Sequence, residues 1–193
     1  VFIRNWFEID LGKLGLNLES FNKKFKWFPI NKGGSFRKWY GNNFAVVNWE
    51  NDGELLKNFK KSVIRNSKFY FKECLTWTMI SSGNFGIRFS PKGFLFEGAG
   101  PSLFAENNQL YFLGFLTTSL VQLLLNMINP TLNYNIENIK NLPIIFNENY
   151  NSEIGIYVRE NIEICKNDWD DYETSWEFKS HPFIRFKQTT LEK

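Results

Sequence analysis

The sequence predicts an α+β protein in which a mixed, twisted β-sheet packs against helices. Segments rich in aromatic and β-branched residues follow one another in the middle of the chain, separated by turn residues, and this is typical of strands. The apolar segment 108–128 has the length of a helix, and 153–166 has the apolar spacing of an amphipathic helix. A chain of 193 residues that is 43% hydrophobic can bury the core of one domain, with or without an appendage.

The individual elements can be placed in chain order. A helix is predicted to begin at 51–53, where Asp52 suits the positive end of the helix dipole, and to continue to Lys60. Four strands are predicted from composition and bounding turns, at 69–71, 75–80, 85–89 and 93–97. Pro143 interrupts 139–146, so this segment is predicted to be an edge strand or an extended connection.

The charges are distributed unevenly along the chain. Residues 1–92 carry 16 Lys and Arg against 7 Asp and Glu, whereas residues 93–193 carry 7 against 13. No acidic residue occurs in 20–49 or in 55–72, and six cations fall in each of these runs. Unopposed cations at this density are typical of a surface that contacts a phosphate backbone, although a solvated basic face has the same signature.

The cysteine and histidine content excludes several classes of site. Cys74 and Cys165 are the two cysteines and His181 is the sole histidine, which excludes a disulfide framework and a Cys/His zinc site and fits a reducing cytoplasm. His181 is expected to have a structural or surface role. The most apolar segment, 110–128, is broken by polar residues and is predicted to be a buried helix instead of a membrane span. The first residues contain neither an initiator methionine nor a secretory signal, so the chain is expected to be a fragment of a longer protein.

Two short motifs resemble cofactor and base sites of methyltransferases. Phe96-Glu97-Gly98-Ala99-Gly100 matches the FxGxG pattern that holds S-adenosylmethionine, but Pro101 follows where a helix should begin. The glycines are therefore predicted to form a tight turn between strands. Residues 129–132 begin like the NPPY motif that binds a flipped adenine, but lack its second proline and its aromatic ring. The sequence therefore predicts no catalytic residue in this chain.

Four ordered blocks carry a more specific resemblance. They are GGSFRKWYGNNFAVVNWENDG at 33–53, FYFKECLTWTMISSGNFGIRF at 69–89, YFLGFLTTSLVQLLLNMINPTLNYNIENIKNLPI at 111–144 and NDWDDYETSWEFKSHPF at 167–183. Together they resemble the C-terminal part of the adenine-specific DNA methyltransferases of phage-exclusion (BREX/Pgl) systems, which are related to combined methyltransferase-restriction enzymes. The third block also resembles the target recognition domains of type I specificity subunits. Cys74 and Thr78 depart from the residues expected of the family.

The resemblance implies a division of labour within a larger enzyme. Residues 1–146 would form a target-recognition-domain-like, DNA-binding domain, with 1–32 as an uncertain entry segment. Residues 147–193 would form a C-terminal helix and an acidic, aromatic tail that packs on this domain, on the methyltransferase domain or on a partner subunit. Catalysis and S-adenosyl-L-methionine would belong to a methyltransferase domain upstream, so this chain alone is expected to be non-enzymatic and without a cofactor. The implied partners are double-stranded DNA, that methyltransferase domain and other defence-system subunits, in the cytoplasm and without a membrane.

Ten polar, basic or aromatic residues are candidates for DNA contact. Arg37 and Lys38 can neutralise phosphate oxygens, and Arg37 can alternatively bind a guanine edge. Their neighbours Trp39 and Tyr40 can stack on sugar or base, or pack in the core. If this segment alternates like a strand, Arg37 and Trp39 share one face and Lys38 and Tyr40 the other. The remaining candidates are amides, small loop hydroxyls and one further arginine, which suit base edges or phosphates: Asn42, Asn48, Ser81, Ser82, Asn84 and Arg88.

A different class of function fits part of the composition. Aromatic residues make up 18% of the chain, and aromatic platforms are typical of carbohydrate-binding modules. A carbohydrate- or protein-binding module is therefore the alternative. The basic runs and the absence of a secretion signal favour DNA.

Overall fold

The structure, a computed structural model, describes residues 2–16, 25–129 and 131–186 and confirms the predicted α+β class. Its strands form two sheets. The strands are β1 (Ile3–Asn5), β2 (Trp27–Asn31), β3 (Ala45–Asn48), β4 (Cys74–Trp77), β5 (Ile87–Ser90), β6 (Leu95–Phe96) and β7 (Ser102–Leu103). The helices are α1 (Glu50–Lys57), α2 (Gln109–Leu116), α3 (Ser119–Ile128), α4 (Ile136–Lys140), α5 (Asn151–Asp170) and α6 (Pro182–Arg185).

The first sheet is mixed, in the order β1-β3-β2-β6. Its three antiparallel strands centre on Val47, which pairs with Ile3 on one side and Phe28 on the other. β6 joins β2 in parallel and begins pairing at Ile30. Pro29, which cannot donate a ladder hydrogen bond, therefore precedes the β6 pairing, and this explains how an inner strand accommodates it. β6 lies within the strand predicted at 93–97, whereas the other three strands of this sheet were not predicted.

The second sheet is antiparallel, in the order β5-β4-β7, and carries the main core. β4 and β5 lie within or next to the strands predicted at 75–80 and 85–89, and they pair antiparallel, with Leu75 opposite Phe89. The fully buried side chains Leu75 and Ile87 pack with apolar residues of α2, α3 and α5. A smaller apolar cluster lies on the first sheet. Most of the candidate residues lie in the connections β2–β3 and β4–β5, each of which joins two strands of one sheet.

The predicted single helix at 108–128 is in fact two helices, α2 and α3. The break lies at Thr117 and Thr118: the Thr117 hydroxyl donates to the carbonyls of Leu113 and Gly114 at 3.0 and 2.9 Å, and the Thr118 side chain accepts from the Val121 amide. Both hydroxyls thus satisfy helix ends, which stabilises a break that hydropathy alone does not show. In the described part of the chain, no single helix is long and apolar enough to cross a membrane; by length and composition alone, the pair Glu106–Leu116 and Ser119–Ile128, bent by 82°, passes that test.

Three further predictions differ from the structure. Residues 69–71 are not a strand: Phe69 ends a 3-10 turn that begins at Ser67, and 70–71 form a further turn. α1 begins with left-handed backbone at 51–53, where φ is 51°, 56° and 73°, so its regular turn starts only at Glu54. Asn, Asp and Gly are the residues that tolerate this conformation. Of the two alternatives for 139–146, the edge strand is wrong: the segment is the end of α4 followed by a connection without strand pairing. The helix predicted at 153–166 is confirmed and extends to Asp170.

Candidate nucleic-acid interface

The glycine-bounded segment 33–43 connects β2 to β3 and lies against the rest of the molecule. It contains no strand, and Trp39 and Asn42 have φ values of 68° and 62°, so the predicted strand-like alternation of its side chains is wrong. The Asn42 side chain donates to the carbonyl of Ser35 at 2.8 Å and closes the segment on itself. Gly86 lies so close that a Cβ there would be 2.5 Å from the Arg37 carbonyl oxygen. The segment is therefore held in a defined shape by close contact with β5.

Both cations of this segment have partners within the chain. The Arg37 guanidinium donates to Asp168 at 3.1 Å and lies 4.9 Å from the centre of the Trp169 ring. Lys38 Nζ donates at 2.7 Å to the carbonyl of Thr117, at the C-terminal end of α2, where a cation satisfies an otherwise unpaired carbonyl. Each cation thus stabilises a contact between the 33–43 segment and a helix. Their contact with DNA stays a prediction, and it would compete with these internal bonds.

The two aromatic residues beside them pack in the core. Tyr40 is 7% exposed, and burial, assisted by the nearby Asp170 carboxylate, raises the pKa of its hydroxyl. Trp39 packs against the main core and lines an apolar cavity of about 380 Å³ between α2 and α5. This position corresponds to the packing alternative that the sequence left open for both rings.

Two of the other candidates lie deep in the protein. Asn48 is buried, and its side-chain oxygen accepts from the Glu50 amide at 3.2 Å, at the start of α1. Arg88 is 2% exposed, and burial, followed by repulsion from Arg37, lowers its pKa to about 10. Its Nε has no hydrogen-bond partner among the described residues. Contact between Arg88 and DNA would require this side chain to leave its buried position.

The turn between β4 and β5 remains accessible. Ser82 and Asn84 are exposed, whereas Ser81 is half-buried and its hydroxyl accepts from the Gly83 amide at 3.1 Å. The Tyr134 hydroxyl donates to the Gly83 carbonyl at 3.0 Å and anchors the turn from the opposite side. Of the ten candidates, Ser82 and Asn84 are therefore the pair presented to solvent on an anchored loop.

The second acid-free run differs from the first in its exposure. Its six cations, called the basic segment below, are all exposed: Lys57, Lys60, Lys61, Arg65, Lys68 and Lys72. Within the described ranges, Lys57 is the member of this set that forms an ion pair, with Asp52 at 2.5 Å. Lys68 and Lys72 lie 5.2 and 5.4 Å from the centre of the Phe69 ring. The charge of this run is apparent in the sequence, but none of its residues was among the ten candidates for DNA contact.

An aromatic groove borders the basic segment. Two cavities, of about 720 and 850 Å³, share Phe69, Tyr70 and Phe104 in their walls. The rings of Phe69 and Phe104 are stacked, with centroids 4.7 Å apart and an interplanar angle of 24°. Arg65 lines the larger cavity, and Lys72 and Lys92 line the smaller one. Cations next to half-exposed rings are the combination that binds nucleic-acid backbone and bases.

The groove also carries carboxylates, which limit what it can bind. Glu97 lines the larger cavity, and burial raises its pKa while Lys32 opposes the shift. Glu73 and Glu106 line the smaller cavity and are exposed. A search of residues 2–16, 25–129 and 131–186 finds no group of three or more His, Cys, Asp or Glu side chains that could hold a metal ion.

The acidic end of the chain contacts the basic half. Besides the Asp168 and Trp169 contacts with Arg37, the Trp6 indole donates to the carbonyl of Thr174 at 3.0 Å. Trp176 packs 6.0 Å from Phe94, which lies just beyond the basic half. Residues at the end of α5 and beyond therefore contact the first half of the chain at Trp6 and Arg37.

Two known proteins similar to this chain are adenine-specific methyltransferases. An adenine-specific methyltransferase named BrxX, from Escherichia coli O9:H4 (strain HS), is 39% identical over 193 residues, which cover 97% of this chain. An adenine-specific methyltransferase named PglX, from Lacticaseibacillus casei (strain Zhang), is 36% identical over 192 residues, which cover 94% of this chain. A scan against protein-family profiles finds no match. The chain is thus homologous over nearly its whole length to one region of adenine-specific methyltransferases, and it spans 15% and 16% of these two relatives.

Proposed function

We propose that this chain is the DNA-binding target recognition region of an adenine-specific methyltransferase in a phage-defence system of the BREX type. It positions the enzyme on its site, while methyl transfer and S-adenosyl-L-methionine belong to the parts of such an enzyme outside this chain. The homology to one region of two adenine-specific methyltransferases supports the assignment to such an enzyme. The distribution of exposed cations supports the role in DNA binding.

The observation that carries the proposal is the exposure of the basic segment. Its cations are presented to solvent over sixteen residues of sequence, from 57 to 72, and only Lys57 has a carboxylate partner in the described part of the chain. Cations of this kind release counterions when they meet phosphates, which is the main source of affinity for duplex DNA. Arg37 and Lys38, by contrast, would first have to leave Asp168 and Thr117.

The turn 81–84 supplies a second element with the right chemistry. Ser82 and Asn84 can donate to phosphate oxygens, and the Asn84 amide can also bind an adenine edge through paired hydrogen bonds. Because Tyr134 anchors the turn, these side chains can be presented without a large loss of conformational entropy. In this proposal, the basic segment provides affinity and the turn contributes to positioning.

The test is a salt titration of duplex binding. The triple variant Lys60→Ala, Lys61→Ala and Arg65→Ala removes three exposed cations, so the slope of log affinity against log salt should fall by about 2.7. The matched control is Lys140→Ala with Lys179→Ala, which removes two exposed cations from the acidic half and should leave the slope unchanged. Fluorescence anisotropy with labelled duplexes gives the affinities, and thermal melts verify folding.

Two outcomes contradict the proposal. An unchanged slope in the folded triple variant would show that the basic segment does not contact phosphates. Binding to glycans that is indifferent to salt, without binding to duplex DNA, would assign the chain to carbohydrate-binding modules.

A further inference from the structure

The smaller cavity of the aromatic groove has the size and lining of a site for one small ligand. It encloses about 720 Å³ between the segments 69–73 and 104–109. This volume lies in the range of small-molecule sites, about 300–1,000 Å³. The stacked rings of Phe69 and Phe104 form its apolar wall, and both are only half-buried. The cavity therefore offers flat aromatic surface to a flat apolar ligand.

A buried amide without a partner lies in the same wall. Gln109 lines the cavity and is 5% exposed, and its Nε2 has no hydrogen-bond partner among the described residues. A buried donor in this state lowers the stability of the folded protein, so a ligand that accepts its hydrogen bond would relieve a cost. Gln109 is also the first residue of α2, whose N-terminus has no side-chain cap. Gln109 therefore supplies one buried donor to this wall of the cavity, which a ligand reaches when the side chain turns toward it.

Two lysines stand at the rim. The Phe71 amide donates to the Phe94 carbonyl at 2.8 Å, and the Gly93 amide donates to the Phe71 carbonyl at 3.0 Å. These two bonds hold 71–72 beside 92–94, so Lys72 and Lys92 meet at one edge of the cavity, and both are exposed. Glu73 and Glu106 line the cavity as well, and they disfavour an anion that is not held directly by the lysines.

We propose that this cavity binds one nucleotide. The base lies against the ring of Phe104 and accepts a hydrogen bond from Gln109, and the phosphate lies at the rim between Lys72 and Lys92. The order follows from burial, because the amide is deep and the ammonium groups are exposed. The ligand has two sources with the same chemistry, an unpaired nucleotide of bound DNA and a free nucleotide. For the first source, the inference rests on the proposed function.

The experiment compares both sources on the 193-residue chain. Calorimetry with deoxyadenosine monophosphate tests the free nucleotide. Anisotropy tests a labelled duplex with one unpaired adenosine against the fully paired duplex. The variants are Gln109→Leu and the double variant Lys72→Ala with Lys92→Ala, and Lys140→Ala is the control. Because Gln109→Leu replaces an unpaired buried amide with an apolar side chain of similar size, its melting temperature should not fall.

We expect nucleotide affinity, or the preference for the unpaired duplex, to decrease about tenfold in Gln109→Leu and to remain unchanged in Lys140→Ala. A preference confined to the unpaired duplex assigns the ligand to a DNA strand, and binding of the monophosphate alone assigns it to a free nucleotide. If the chain binds both duplexes equally and no monophosphate, the nucleotide site is refuted while the proposed function stands. If the chain binds neither duplex and no monophosphate, the nucleotide site and the proposed function are both refuted.

Discussion

Arg37 and Asp168 form an ion pair with a 3.1 Å separation although they are 131 positions apart in the sequence. Trp169 covers the same guanidinium from one face, and a Cβ on Gly41 would lie 3.0 Å from the Trp169 ring. The end of α5 is thus fixed on the segment that connects β2 to β3. This contact makes Arg37 a structural residue in the chain. The effect of substituting Arg37 on the stability of the chain can therefore be measured without DNA.

Arg37→Ala should destabilise the chain by about 1–2 kcal/mol, the sum of a partly screened ion pair and a cation–π contact. Asp168→Asn should cost about 0.5 kcal/mol, since Asp168 is more than half exposed and the Trp169 contact remains. Arg159→Ala, an exposed position on the same helix, is the control and should stay within about 0.5 kcal/mol. Urea unfolding measures all three. If the urea midpoints of the three variants equalled that of the unchanged chain, the contact between Arg37 and the end of α5 would contribute nothing to stability.

Lys38→Met should cost about 1–2 kcal/mol, because it leaves the Thr117 carbonyl at the end of α2 without its charged donor. The apolar stem is retained, so the change reports the hydrogen bond and not the packing. Lys140→Met on α4 serves as the control. Hydrogen exchange adds a local readout: amides in the last turn of α2 should exchange faster in Lys38→Met. Unaltered protection there would contradict the role of Lys38.

The two glycines of the FxGxG motif should respond differently to alanine. A Cβ on Gly100 would lie 2.5 Å from the Asn31 carbonyl oxygen, whereas a Cβ on Gly98 would meet no atom within 4 Å. Gly100→Ala should therefore destabilise by about 1–3 kcal/mol, as overpacking does, and Gly98→Ala by less than about 0.5 kcal/mol. Thermal melts of the two variants give the comparison. The same loss in both would argue against the close approach of this turn to β2.

The Cys74 thiol should make stability depend on pH above 9. Burial raises its pKa from 9.0 to about 11, with hydrogen bonds from Ser102, Ser90 and Asn31 opposing the shift. Between these values the unfolded chain loses the thiol proton while the folded chain keeps it, so stability falls as pH rises. A shift of two pKa units corresponds to a loss of at most about 3 kcal/mol in the free energy of unfolding.

The comparison is Cys74→Ala against the unchanged chain, by urea unfolding at pH 8 and pH 11. Tyr40 and Tyr70, whose pKa values are also raised by burial, are present in both proteins and cancel. The destabilisation caused by Cys74→Ala should be smaller at pH 11 than at pH 8. A difference that does not change with pH would mean that the thiol titrates alike in the folded and unfolded states.

Local patterns in the sequence determined several elements of this fold. The helix α5 followed from apolar spacing, and the strands β4 and β5 from two β-rich segments on either side of Ser81-Ser82-Gly83-Asn84, although not their pairing. The turn at Gly98 and Gly100 between β6 and β7 also followed, since Pro101 does not continue into a helix. These features depend on neighbours within a few residues, which is the range over which sequence patterns act.

Tertiary contacts decided the rest, and above all which cations remain free. Arg37 and Lys60 lie in acid-free runs of equal charge, so the sequence could not tell them apart. α5 brings Asp168 to Arg37 from 131 positions away, whereas Lys60 has no carboxylate partner in the described part of the chain. β2 was not predicted for a related reason. Pro29 locally disfavours an inner strand, and the strand tolerates this residue because its pairing with β6 begins only at Ile30. Long-range pairing determined both outcomes, and no local pattern encodes it.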